Sequence, residues 1–309
     1  MSAAQPVQAL SNRVPKASFA DTWRRPQRRM VILLCLPAFL LLGVLVGWPI
    51  IDGILLSLQR ITPTAEPGWV GFRNYQAALS SGAFWHTLVV TLVFTVISLV
   101  IELGLGMALA LMLARVVRGA GAIRTLILIP VMLTPAVAAI NFRVMLNYDY
   151  GLVNYLLGQL GLASQPWVSQ AGVGPMLSLI LTDVWRSTPF FVLVLSSGLL
   201  ALPQDVLEAA DVDGARTWRK LVHVKIPMLA PLLLVTVLFR VIDLFRTFDI
   251  VYVLTQGGPG TSTTVTSLLI YNDMAVGNFT SYAATEATIF MVLTLLVSIL
   301  LIRALKAQE

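Results

Sequence analysis

The chain has 309 residues, of which 57% are hydrophobic and only 12% charged, against roughly 25% charged in an average soluble domain. That composition excludes an ordinary soluble enzyme, a disordered chain and a collagen-like repeat, and leaves an integral membrane protein. The single cysteine, Cys35, and the two histidines, His86 and His223, exclude an internal disulfide and a zinc or other His/Cys metal cluster, and the net charge of +6 needs no nucleic-acid partner once topology is considered.

A transmembrane helix needs about 20 mostly apolar residues, and six segments reach that length: 30–58, 87–114, 123–146, 174–200, 229–254 and 284–302. The expected fold class is therefore all-α integral membrane, with a tail over 1–29, six spans within 30–302, a long loop at 201–228 and a short tail over 303–309. Arg24, Arg25, Arg28 and Arg29 precede the first segment. Its apolar core runs well past the ~7–15 residues of a signal peptide's apolar region, so it reads as a retained anchor. Basic residues mark the cytoplasmic side of short loops. They gather in the N-terminal tail, at Arg115, Arg118 and Arg124, at Arg216, Arg219, Lys220 and Lys225, and at Arg303 and Lys306. The opposite side has only Arg60 and Arg73. Both termini are therefore expected to be cytoplasmic.

In the second span, Glu102 is placed toward the cytoplasmic side and is expected to pair with a neighbouring helix. Gly104 and Ala108 give a small-x-x-x-small pattern for close helix packing. Asn141 and Arg143 end the third span, where snorkelling accounts for the arginine. Beyond it, Gly151 to Leu162 predicts a short amphipathic helix, with Leu152, Tyr155, Leu156 and Leu160 near one face.

Spans four and five hold the ionisable groups, each costing about 2.5–3.5 kcal/mol at a helix centre unless paired or hydrated. Arg240, Asp243, Arg246 and Asp249 alternate in sign at three-residue steps, which allows a self-neutralising ladder as readily as a solute site. At ~1.5 Å per residue, Arg240 rises roughly 18 Å from Met228, and Asp183 lies roughly 13 Å below Gly174. Their depths agree, so Asp183 is expected to pair with Arg240, with Arg186 and Asp243 beside them lining a central cavity. Recovery of function in a charge swap would support that pair. Trp185, Ser187, Phe190, Thr247 and Phe248 surround these charges, although Phe248 reads first as packing. The run Gly257, Gly258, Pro259, Gly260 is expected to stop span five.

The loop between spans four and five reads as helix, break, helix. Asp205 and Glu208 have the spacing of an N-terminal capping box, Gly214 can turn the chain at positive φ, and Pro227 restarts a helix into span five. Ala209, Ala210 and Ala215 are small enough for another protein's surface to approach.

This loop resembles the cytoplasmic signature of the membrane subunits of binding-protein-dependent ABC importers: Glu-Ala-Ala, three residues, Gly, nine residues, Ile, one residue, Leu-Pro. Glu208, Ala209, Ala210, Gly214 and Pro227 stand at that spacing, with Val224 for Ile and Ile226 for Leu. Asp213-Gly214-Ala215 and Thr255-Gln256-Gly257-Gly258-Pro259 make it similar to the carbohydrate-type permeases of the maltose and glycerol-phosphate systems. The resemblance implies a type I importer permease fold in the bacterial plasma (inner) membrane, and a coupling element at 204–226 seated on a separate ATPase, with Glu208, Ala209, Ala210, Asp213, Gly214, Ala215 and Pro227 as its residues. It also implies solute contacts near Arg186, Ser187, Phe190, Arg240, Asp243, Leu244 and Thr247, beside Asp183. The implied partners are a second permease in a heterodimer, two ATPase subunits, an external solute-binding protein and membrane lipid. No Gly-x-x-x-x-Gly-Lys-Ser/Thr occurs in the chain, so ATP and magnesium are expected on the partner ATPases, with no catalytic site, metal or cofactor here. An ion-coupled secondary transporter is the rival reading, since buried Asp and Arg can carry ions, but it gives no reason for the Glu208 to Pro227 pattern.

Overall fold

A computed structural model describes residues 25–62, 65–114 and 120–306. The basic side chains of the N-terminal tail, Arg115, Arg118, Arg124 and Lys306, on which the orientation partly rests, lie outside the described ones. The chain divides into a unit ending at Asp52 and a second from Gly53 onward.

The first unit is helix α1 (Arg25–Leu42), a π-turn at Gly43–Gly47, and the start of α2 (Trp48–Ser57). Leu33, Leu34 and Phe39 are exposed along it. A helix that is apolar all round and leaves its side chains uncovered suits lipid rather than water.

The second unit opens with a β-hairpin, β1 (Gln59–Thr62) and β2 (Ala65–Trp69), and helix α3 (Arg73–Ser80). Asn74 of α3 donates to the Ser57 and Gln59 carbonyls at 2.9 and 2.7 Å, and Thr285 donates to Ser57 from the far end of the sequence. Helix α4 (Gly82–Leu113) starts where the Ser81 hydroxyl accepts the Phe84 N–H, five residues before the expected span. It lies along α8 (Gly174–Leu200), whose limits match the sequence reading. The two helices run parallel, since Phe94 shares a cluster with Leu179 and Ile180, and Ala110 another with Leu195 and Leu199. The glycine that permits this closeness is Gly106: a Cβ there would overlap the Phe191 Cβ. Gly104 and Ala108, expected to form the contact, are exposed, and nothing lies within 4 Å of a Cβ at Gly104. The small-residue stripe is Gly106 and Ala110, two positions on.

The third expected span, 123–146, is not one helix. It is α5 (Ala120–Met132) and α6 (Pro135–Met145), bent by 93°. Thr134 precedes a proline, which pushes it out of the helical region to ψ 150, and its hydroxyl then caps α6 by accepting the Val137 N–H. Helix α7 (Leu152–Gln159) follows, with Leu152, Tyr155, Leu156 and Leu160 exposed as one apolar face. Arg143 is exposed and donates to the Val253 carbonyl at 3.0 Å, which ties the end of α6 to a later segment of the chain.

After α8 come α9 (Gln204–Val212), α10 (Thr217–Lys220), a π-turn at Leu221–Lys225 and α11 (Ile226–Phe245). The last three form one continuous helix, Thr217–Phe245. Pro227 therefore restarts nothing. It rides inside a helix whose preceding turn is widened to π geometry, which makes room for a ring that would strike a carbonyl in a regular α-turn. The fifth span also ends at Phe245 instead of 254, so the Gly257–Gly260 run does not stop it. Arg246, Thr247 and Phe248 break the chain, and Asp249 opens the short α12 (Asp249–Leu254). Helix α13 (Thr266–Tyr271) and α14 (Thr280–Lys306) complete the order. Among the described residues, five helices are long and apolar enough to cross a membrane, six if α5 and α6 together make one crossing.

Candidate functional site

Asp183, Arg186, Ser187 and Phe190 fall at i, i+3, i+4 and i+7 on α8 and so share one helix face. Arg240 and Asp243 make an i, i+3 pair on α11. A third helix contributes the group that the two-helix reading lacked. Arg240 donates from Nε to Glu102 Oε2 and from Nη2 to Glu102 Oε1, both at 2.7 Å. It also donates from Nη2 to Asp183 Oδ2 at 2.5 Å and from Nη1 to Asp243. Arg186 closes the ring from the other side, 3.5 Å from Asp183 and 4.0 Å from Asp243.

Glu102, Asp183 and Arg240 are 0%, 1% and 4% exposed. A charge so deep is tolerable only when paired and hydrogen-bonded, and the bidentate fork to Glu102 meets that condition. The pairing of Asp183 with Arg240 expected from their depths is present. The expected depth of Glu102 is not: it lies four residues before Gly106, as Ser187 lies four before Phe191, so the Gly106–Phe191 contact sets it beside Ser187 in the middle of α8. The ladder over span five is present only in its first rung, Arg240 with Asp243, because Arg246 and Asp249 sit at and beyond the helix break.

A cavity of about 240 Å³ adjoins the cluster, lined by Val131, Arg186, Ser187, Phe190, Phe239, Arg240 and Asp243. Asp183 and Glu102 stand behind its wall. Leu244, expected as a contact, is fully buried in an apolar core with Phe94 and Leu179. Thr247 sits in the break, where its carbonyl accepts the Ser267 hydroxyl at 2.5 Å. Phe248 stacks on Tyr252 with ring centroids 5.2 Å apart, which is packing. Val131 and Phe239 were not singled out by sequence, since apolar residues on apolar helices carry no mark of which face they take. The Asp243 side chain is 64% exposed, so the cavity is open on a side that the described residues do not cover.

The other feature is an exposed knuckle at 204–216. Pro203 takes the N-cap position of α9 and Asp205 sits inside the first turn without a side-chain cap bond, so the capping box does not form. The acidic group still favours the helix dipole there. The C-terminal end is a Schellman motif: the Ala215 N–H reaches the Ala210 carbonyl and the Gly214 N–H the Asp211 carbonyl, each at 3.0 Å, with Gly214 at φ +72°. Lys220 pairs with Asp211 across the turn. Glu208, Ala209, Asp213 and Gly214 are exposed, Ala210 and Ala215 half-buried, and Val212 and Trp218 project into the open beside them.

The family model described as the binding-protein-dependent transport system inner membrane component matches residues 102–307. The trehalose/maltose transport system permease protein MalF of Thermococcus litoralis is 36% identical over 254 residues, covering 82% of this chain and 86% of the relative. The sn-glycerol-3-phosphate transport system permease protein UgpA of Agrobacterium fabrum is 31% identical over 272 residues, 87% of this chain and 92% of the relative. Among solved structures, a chain from a bacterial ABC transporter involved in the import of the acidic polysaccharide alginate matches with a TM-score of 0.80 at 21% identity, covering 91% of this chain and 96% of that one. The last likeness is one of fold.

Proposed function

The chain belongs to the inner-membrane components of binding-protein-dependent ABC transport systems, and from that membership we propose that it passes a sugar or sugar-like solute inward, driven by ATP hydrolysed on separate subunits. Members of this family are non-catalytic multi-pass permease subunits without a cofactor of their own. On this reading an external binding protein delivers the solute, a second permease covers the open side of the cavity, and two ATPase subunits receive the knuckle. The bacterial inner membrane holds a permease domain over 30–302, with both tails and the coupling loop 201–228 on the cytoplasmic side. Asp183, Arg186, Ser187, Phe190, Arg240 and Asp243 form the solute region. Glu208, Ala209, Ala210, Asp213, Gly214, Ala215 and Pro227 form the coupling element.

The observation that carries this reading is the unbroken helix Thr217–Phe245, which joins the Gly214 turn at one end to Arg240 and the cavity near the other. Thrust applied to the knuckle moves the same rod that bears the solute wall. The test is Glu208→Lys and, separately, Gly214→Val. Each is expected to lower ATP-driven uptake at least tenfold while the protein stays in the membrane at its normal level. Unimpaired uptake in both would remove the coupling role.

A further inference from the structure

A second buried acid lies away from the solute region. Glu286 on α14 is 1% exposed, and its Oε2 has no hydrogen-bond partner among the described residues. Its carboxyl meets that of Asp273, which stands on a π-turn (Asn272–Val276) that continues α13. Tyr282 stands four residues before Glu286 and so shares its face of α14, close enough to both carboxyls to feel their charge. None of the ion pairs among the described residues includes either acid. A buried carboxylate is costly unless a positive group answers it, and burial holds the Asp273 carboxyl above the usual carboxylate range. The pair is short of a positive partner.

A cavity of about 540 Å³ gives access to it, with Asp273 and Tyr282 in the wall beside Arg60, Arg73 and Phe279. Neither arginine acts on the two carboxyls. We propose that Asp273 and Glu286 hold a calcium ion, with the Tyr282 hydroxyl as a third oxygen. Two carboxylates cancel the charge of a divalent cation, and the unpartnered Glu286 Oε2 gains the partner that the chain does not supply. Calcium accepts about 6–8 oxygens in irregular geometry, so water from the cavity completes the shell. Magnesium demands a near-ideal octahedron and gives up its water reluctantly, which this set suits less. The ion ties the π-turn to α14, and the Tyr282 hydroxyl, in contact with Ser81, carries the tie to the start of α4.

The competing arrangement is a proton shared by the two carboxyls, which gives no response to metal. The full chain in detergent, freed of metal with a chelator, is heated with and without calcium chloride. Calcium is expected to raise the thermal midpoint by about 2–4 °C, magnesium by less, and the response should vanish in Glu286→Gln and in Asp273→Asn. Terbium in place of calcium reads the site directly, because it emits when a tyrosine beside it absorbs. Tyr282→Phe keeps both carboxylates, so it should lower that emission, and calcium should displace the terbium from the native protein. Loss of the calcium response in the carboxylate variants together with weaker emission in Tyr282→Phe supports the site. No calcium response, a response that the carboxylate variants retain, or undiminished emission in Tyr282→Phe overturns it. Should both carboxylate variants fail to fold, the emission of Tyr282→Phe decides.

Discussion

Arg240 is the residue on which the interior turns, because one side chain from α11 answers carboxylates on three helices. Removing Glu102 by Glu102→Ala leaves a buried guanidinium short of its bidentate partner, which costs about 3–5 kcal/mol when a buried pair is broken. A large fall in the thermal midpoint of the detergent-solubilised protein is the expected reading, and an unchanged midpoint would show that the fork does not hold the fold. The same geometry changes what a charge swap does. Asp183→Arg with Arg240→Asp would set a new carboxylate against Glu102 and Asp243, so the double variant is expected to remain inactive in uptake, whereas a simple two-member pair would recover. Gly214 is a second sensitive point: at φ +72° any side chain costs roughly 1–2 kcal/mol, although nothing lies within 4 Å of its Cβ position. The strain is in the backbone, so even Gly214→Ala should reduce uptake, and a fully active alanine variant would place the turn's importance elsewhere.

At the scale of elements, legibility depended on whether a helix end carries its own signal. Helix α8 begins at Gly174-Pro175 and was readable to the residue. The bend between α5 and α6 was missed because hydropathy runs straight through it, although Thr134-Pro135 is a cap followed by a proline and could have been read as a start. The fifth span was set too far along for the same reason, with Asp249 as the unread first-turn acid of α12. The wrong depth of Glu102 has another cause: α4 has 32 residues, well beyond the ~20 that span a bilayer, so distance from its end is a poor measure of depth. Packing faces were legible only as a class. Sequence shows two small-residue pairs on α4, at Gly104/Ala108 and Gly106/Ala110, and only the partner helix selects between them. Gly106→Val should therefore destabilise by about 1–3 kcal/mol through overlap with Phe191, while Gly104→Ala should be neutral or mildly stabilising. Equal thermal midpoints for the two variants would contradict this assignment of faces.

For the whole molecule, the ionic cluster, the cavity wall and the turn at Gly214 are linked by the one helix Thr217–Phe245. The cluster ties α4, α8 and the C-terminal part of α11 to one another, and α11 is continuous through a π-turn with α10. The family signature at Glu208 to Pro227 was legible from spacing alone, because its fixed positions can be counted along the chain without knowing which face packs. The cavity wall was legible only in part: Leu244 packs into an apolar core instead, and Thr247 stands past the end of α11, an end that the sequence did not reveal. The most direct measurement is uptake of a radiolabelled disaccharide by proteoliposomes holding the complete complex and its binding protein, with ATP supplied on the knuckle side and the proton gradient collapsed by an uncoupler. Uptake that requires ATP and ignores the uncoupler is the predicted result. Uptake that proceeds without ATP and stops when the gradient collapses would contradict the account.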